Sequence, residues 1–192
     1  ILVEGAKTDV AVMERLFEFY PELDAKYQIV SYDTNIYVLW QEFFQNGEDR
    51  DSLDILQIMK AREPDPSRKR IFEDRYTDIM LVFDLDPQDP NFTNEKILQM
   101  QEYFCESSDM GKLYLNYPMI EAFYHMNTIP DSDFITRIVT MRELKGKLYK
   151  SRVNSESYRR DYRKFIQSRR ECNLVILDNI DKALHLLGKQ HT

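Results

Sequence analysis

The apolar run Ile79-Met80-Leu81-Val82-Phe83 stops abruptly at Asp84-Leu85-Asp86-Pro87. A continuous apolar run of strand length, unlike an alternating one, is the pattern of a strand covered on both faces, and such strands belong to parallel sheets flanked by helices. Ile1-Leu2-Val3 reads as another buried strand. It is already in progress where the sequence opens without Met, so residues upstream are expected. The turn Glu4-Gly5-Ala6-Lys7 leads into a helix with Met13, Leu16, Phe17 and Tyr20 on one face. Pro21 ends that helix, and Tyr27 to Tyr32 reads as a strand again, which makes a βαβ opening.

The rest of the chain fits the same α/β class, a mostly parallel sheet flanked by helices. Helical spacing over 35–44 and again over 52–61, with Ile36, Leu39, Trp40 and Phe43 on one stripe and Leu53, Leu56 and Met59 on another, predicts an inserted helical hairpin over about 35–61. The prolines and charges of 62–70 predict an exposed loop. Thr93 is placed to cap a helix burying Ile97, Met100 and Phe104, and Lys112 to Leu115 reads as a strand. Asn116-Tyr117-Pro118 then opens a helix from Met119 to Met126. Three further helices are expected between Asp133 and Leu187, the last burying Leu174, Leu177, Ile180, Leu184 and Leu187. This organisation suggests a catalytic core over 1–130 and a C-terminal helical subdomain over 131–192.

Nothing approaches the apolar run of about 18 residues that a membrane span needs, so an integral membrane protein is excluded at this level. Cys105 and Cys172 match neither a disulfide framework nor a zinc spacing, and no signal peptide is visible, so a reducing cytoplasm is expected. The net charge of −7 is unevenly spread: eleven Lys or Arg against three Asp or Glu between Arg142 and Arg170 give a local +8, leaving −15 elsewhere. An acidic body beside a basic segment suits a protein that gathers cations in one place and a polyanion in another. A solvated basic helix face would look the same. Tyr149, Tyr158, Tyr162 and Phe165 are interleaved with these cations, a mixture that suits phosphate neutralisation and base stacking. On a helix, Tyr158, Tyr162 and Phe165 would also share one face and serve as core.

In an open parallel sheet, ligands bind outside the carboxyl ends of the strands. Glu4 follows the first strand directly, and Asp84 and Asp86 end the most apolar one, so two sequence-distant acidic motifs are expected at one edge. Alternation along an extended chain would point Asp84 and Asp86 to the same side. Carboxylates this close repel one another unless a cation stands between them, and their hard oxygens select Mg²⁺ or Mn²⁺. Either motif alone is equally typical of an ordinary strand-to-loop turn. Their combination in this order is what points to a metal site.

Leu2-Val3-Glu4-Gly5-Ala6-Lys7-Thr8-Asp9 resembles the first motif of TOPRIM domains, and Phe83-Asp84-Leu85-Asp86 resembles their Asp-x-Asp motif. Tyr114 to His125 is similar to the Asn-Pro-x-x-Glu-type segment of RloB-like defence proteins, with Tyr117 standing between Asn116 and Pro118. The resemblance covers about residues 1 to 126. It implies a TOPRIM-like, Rossmann-like fold, with Glu4, Asp84, Asp86 and Glu121 as catalytic residues and Glu4, Asp9, Asp84 and Asp86 as metal ligands. Asp9 is equally favoured at a helix start by the dipole, and His125, four residues from Glu121, equally suits packing.

The function these readings predict is a Mg²⁺- or Mn²⁺-dependent nuclease cutting DNA or RNA, of the kind the resemblance associates with antiphage defence, as in OLD-type and RloB-like proteins. Nucleic acid would be met through 142–170. A toxic effector needs restraint, which implies a regulatory protein partner; homo-oligomerisation is left open. With no Gly-x-x-x-x-Gly-Lys or Gly-x-Gly-x-x-Gly loop, an ATPase, where one is needed, would be that partner. The alternative is a catalytically silent TOPRIM-like module that binds protein or nucleic acid without cutting.

Overall fold

The computed structural model describes residues 1–23, 27–45, 53–108 and 110–188. It divides into two compact units, Ile1–Ala6 with Lys26–Asn116, and Lys7–Ala25 with Tyr117–Thr192. These units do not follow the expected division at residue 130: the helix α1 (Thr8–Glu18) belongs with the C-terminal residues.

The first unit is an α/β sheet of β1 (Leu2–Val3), β2 (Val30–Ser31), β3 (Met80–Asp84), β4 (Cys105–Glu106) and β5 (Gly111–Asn116) in the order β2-β1-β3-β5-β4. All pairs are parallel except β4 with β5. The short antiparallel edge β4 was not legible beforehand, because a two-residue strand carries no periodicity. Leu81 and Phe83 of β3 are fully buried while Met80 and Val82 are only partly so, and the strand is therefore better covered on one face than the uniform apolar run suggested.

The well-covered face follows from register. Leu2, Val30 and Leu81 are paired across three strands, and alternation carries Tyr32 and Phe83 to the same side. Against them pack Ile36 and Leu39 of α2 (Ile36–Trp40), Phe43 of the π-helical turn Gln41–Gln45, and Ile55 and Met59 of α3 (Ile55–Arg62). Both halves of the expected helical insert thus contribute core; its residues 46–52 lie outside the described residues. The loop predicted over 62–70 is instead partly helical. Asp65 accepts from Ser67 N–H and Pro66 takes the first position of α4 (Pro66–Lys69), because a proline that interrupts a helix is also a good helix start. Thr93 caps α5 (Asn94–Tyr103) as predicted, accepting from Lys96 N–H at 3.3 Å, and Ile97, Met100 and Phe104 are buried.

The second unit is built from α1, α6 (Met141–Lys145), α7 (Tyr149–Glu156), α8 (Arg169–Leu186) and short 3₁₀ turns. Its core gathers Val12, Ile120, Phe134, Val153, Phe165 and Val175, among others. The helix expected from Met119 to Met126 is a 3₁₀ turn, Ile120–Tyr124, following a cis Tyr117–Pro118 peptide. The last helix is present, but Leu177, Ile180 and Leu187 are exposed; its buried stripe is Cys172 and Val175, one turn earlier. Helical spacing identifies a possible apolar face but not which part of it finds a partner. No helix among the described residues is long and apolar enough to cross a membrane.

Candidate functional site

Strand β1 is flanked by β2 on one side and β3 on the other, and β3 is flanked in turn by β5. The chain leaves β1 towards β2 but leaves β3 towards β5, so the direction of winding reverses between β1 and β3. In open parallel sheets such a reversal is where ligands characteristically bind, outside the carboxyl ends of the strands. Val3 pairs with Val82, which brings the ends of both strands to the same edge. Glu4 is the first residue beyond β1 and Asp84 the last of β3.

Local bonding ties these residues together. Glu4 N–H extends the ladder to Val82 O at 3.2 Å, and Asp84 N–H donates to Glu4 Oε2 at 3.2 Å. Asp84 is buried, and its Oδ1 accepts from Asn116 Nδ2 at 3.0 Å. Asn116 is the register partner of Asp84 on β5, and its carbonyl accepts from Leu85 N–H at 3.0 Å. The sequence reading missed this amide as a site residue, although its position as partner of an acidic strand end becomes readable once strand pairing is known.

The extended chain assumed for Asp84-Leu85-Asp86 does not persist. Asp86 lies at φ 44, in the left-handed region, where Asp is among the few side chains tolerated. The chain turns there, with Asp89 N–H donating to Asp86 O at 2.9 Å, and Asp86 Oδ1 accepts from Gln88 Nε2 at 2.9 Å. Alternation therefore does not relate the two aspartates.

A second missed group adjoins this turn. Asn35 caps α2, its Oδ1 accepting from Tyr37 and Val38 N–H, and its Nδ2 donates to Asp89 Oδ2 at 3.3 Å. The Tyr37 hydroxyl donates to Leu85 O at 2.5 Å. The Tyr37 phenol is pushed well above its ordinary range, by burial first and then by the negative charges of Asp89, Asp86 and Glu4.

The oxygens of Glu4, Asp84 and Asp86 are chemically suited to a hard divalent cation. Their placement is less complete: among the described residues, no group of three or more His, Cys, Asp or Glu stands ready to hold a metal ion. Protein donors engage at least one oxygen of each of the three carboxylates.

Asp9 and Glu121 belong to the second unit. Asp9 is buried in the first turn of α1. Glu121 is buried too, with Oε1 3.2 Å from Lys150 Nζ and Oε2 buried without a hydrogen bond. Because its segment is 3₁₀, with about three residues per turn, a four-residue spacing does not put Glu121 and His125 on one face. His125 packs instead: Nδ1 lies 3.3 Å from Tyr149 Oη and Nε2 2.8 Å from Glu156 Oε2. Burial holds the imidazole below its ordinary value of 6.5, against the Glu156 hydrogen bond, which raises it.

An imidazole with a lowered folded-state pKa is charged more readily in the unfolded chain. Stability from keeping it neutral is complete above pH 6.5 and declines as pH falls below that value. The urea midpoint of the wild type is expected to drop between pH 7.5 and 5, and His125→Gln to flatten that drop. An equal drop in both proteins would assign it to other groups.

The basic segment is more structural than its composition suggested. Tyr149 and Phe165 are buried, Phe165 between Phe123 and Tyr124, and neither is free to stack on a base. Tyr158, Tyr162 and Phe165 do not share a helix, since the chain is 3₁₀ at Tyr158–Arg160 and extended at Asp161. Arg152 pairs with Glu143, Arg159 with Glu171 and Arg163 with Asp161. Arg142, Lys145, Lys147, Lys164 and Arg170 are exposed.

No protein-family model, curated protein or solved structure matches the chain.

Proposed function

We propose that this protein is a TOPRIM-like, metal-dependent nuclease whose centre is the crevice between β1 and β3. The observation that carries this reading is the meeting of Glu4 and Asp84 at the winding reversal of a parallel sheet, joined by a hydrogen bond from Asp84 N–H to Glu4 Oε2. Glu4, Asp84 and Asp86 would hold Mg²⁺ or Mn²⁺; the roles given to Asp9 and Glu121 rest on the motif resemblance alone. When bound, the ion would orient a phosphodiester and offset charge on the leaving oxygen. Glu4 would accept the proton of the attacking water. Asn116 would keep Asp84 turned into the crevice. The exposed cations of 142–170 would attract the nucleic acid electrostatically. A defence role with a regulatory partner rests on the motif resemblance alone.

A second reading, a silent module that binds without cutting, draws support from the carboxylate oxygens already engaged by protein donors and the lack of a ready three-ligand group among the described residues. Cleavage of plasmid DNA and total tRNA in Mg²⁺, Mn²⁺ or EDTA separates the two. Metal-dependent cutting is the expected result. Binding of either nucleic acid without cutting in any condition would transfer the assignment to the silent module.

A further inference from the structure

The turn carrying Asp86 is an unusual conformation held from outside. A non-glycine residue in the left-handed region is disfavoured and persists where its surroundings hold it there. At Asp86 three restraints converge. On one side, Leu85 N–H is bound to Asn116 O. Within the turn, Asp89 N–H is bound to Asp86 O. On the other side stand two groups from the segment that follows β2, the Tyr37 hydroxyl on Leu85 O and the Asn35 amide on Asp89 Oδ2. The carbonyl that Tyr37 grips lies between the two aspartates of the acidic motif.

These two groups are coupled. The same Asn35 side chain that donates to Asp89 accepts from Tyr37 N–H at 3.1 Å, so it fixes both the start of α2 and the position of the tyrosine. Tyr37 is fully buried, which leaves its hydroxyl little freedom to exchange Leu85 O for water.

We propose that Tyr37 and Asn35 are positioning residues that clamp the Leu85–Asp89 turn and thereby set the direction of the Asp86 carboxylate, an inference that rests on the metal-centre reading for its functional meaning. Neither residue touches the reacting atoms. The clamp ties the cation affinity of one loop to a helix start some fifty residues earlier in the chain.

The test uses Tyr37→Phe, which removes only the hydroxyl, and Asn35→Ser, which retains a good helix cap but shortens the reach to Asp89. Amide hydrogen exchange of Leu85 and Asp89 is measured in metal-free protein, and Mn²⁺ affinity by calorimetry. Tyr37→Phe is expected to speed exchange at Asp89 about tenfold and to weaken Mn²⁺ binding about tenfold, the scale of lost outer-shell support. Amides of β3 and β5 should exchange as in the wild type. Asn35→Ser should move both readouts in the same direction. Unchanged exchange at Leu85 and Asp89 in both variants would overturn the clamp, whatever the protein does with metal. Faster exchange with full Mn²⁺ affinity would overturn its role in setting the carboxylate. A wild type that takes up no Mn²⁺ would overturn the metal reading and the clamp's functional role together, while exchange still decides whether the turn is held as described.

Discussion

In the proposed nuclease, Asp84→Asn is expected to lower metal-dependent cleavage about 10³-fold, because several kcal/mol of charge stabilisation by a bound ion would be at stake and each 1.4 kcal/mol or so is tenfold in rate. The substitution is nearly isosteric. Asn116 Nδ2, which donates to Asp84 Oδ1 at 3.0 Å, can donate equally to an amide oxygen, and Asp84 N–H still reaches Glu4 Oε2. Folding should therefore be close to wild type, which separates loss of charge from loss of structure. Single-turnover cleavage with matched melting curves makes the measurement. A variant that cuts within threefold of the wild type would remove Asp84 from the proposed metal centre.

The largest expected effect on stability lies in the second unit. The side chains of Asp131 and Arg137 are both buried, with Arg137 Nη1 2.7 Å from Asp131 Oδ2. Asp131 also accepts from the N–H groups of Asn127 at 2.7 Å and Asp133 at 3.1 Å. Asp131→Ala removes the counter-charge of Arg137, whose Nη1, bonded to both Asp131 Oδ2 and the His125 carbonyl, keeps only the latter. It also takes the acceptor from two backbone donors, and the cost expected is about 3–5 kcal/mol. Replacing both partners, Asp131→Leu with Arg137→Met, should destabilise less than the single change, since no uncompensated charge remains. Denaturant titrations decide this. A single-variant loss below about 1 kcal/mol would mean that solvent reaches the pair, as it does surface ion pairs. Burial acts to raise the Asp131 pKa, but the two backbone donors and Arg137 prevail and hold it below the usual carboxylate range. The stability it confers is thus complete above that range and fades as pH falls through the lowered value.

What the sequence by itself determined is the parallel sheet and the ends of its strands. A run such as Ile79–Phe83 has few places to go except a covered strand, and β3 ends at Asp84, within a residue of where the apolar pattern stops. Glu4 and Asp84 were legible for the same reason, being the first polar residues after apolar runs. Thr93 was legible because capping is a local interaction of a side chain with backbone three residues on.

Tertiary structure decided the rest, wherever the outcome depended on a partner distant in sequence. Asn116 reaches Asp84 only through the β3–β5 register, and Tyr37 and Asn35 reach the Asp86 turn only after the segment beyond β2 has packed. The left-handed Asp86 broke the alternation that a local reading assumes. Tyr149 and Phe165 went to the core and several arginines to carboxylates, because interleaved aromatics and cations specify an amphipathic segment without saying which of its surfaces is covered. The buried stripe of α8 was likewise chosen by its neighbours, which cover Cys172 and Val175 and leave Leu177 and Ile180 in water. Periodicity is a property of one segment, whereas burial is a property of two surfaces, and only the folded chain supplies the second.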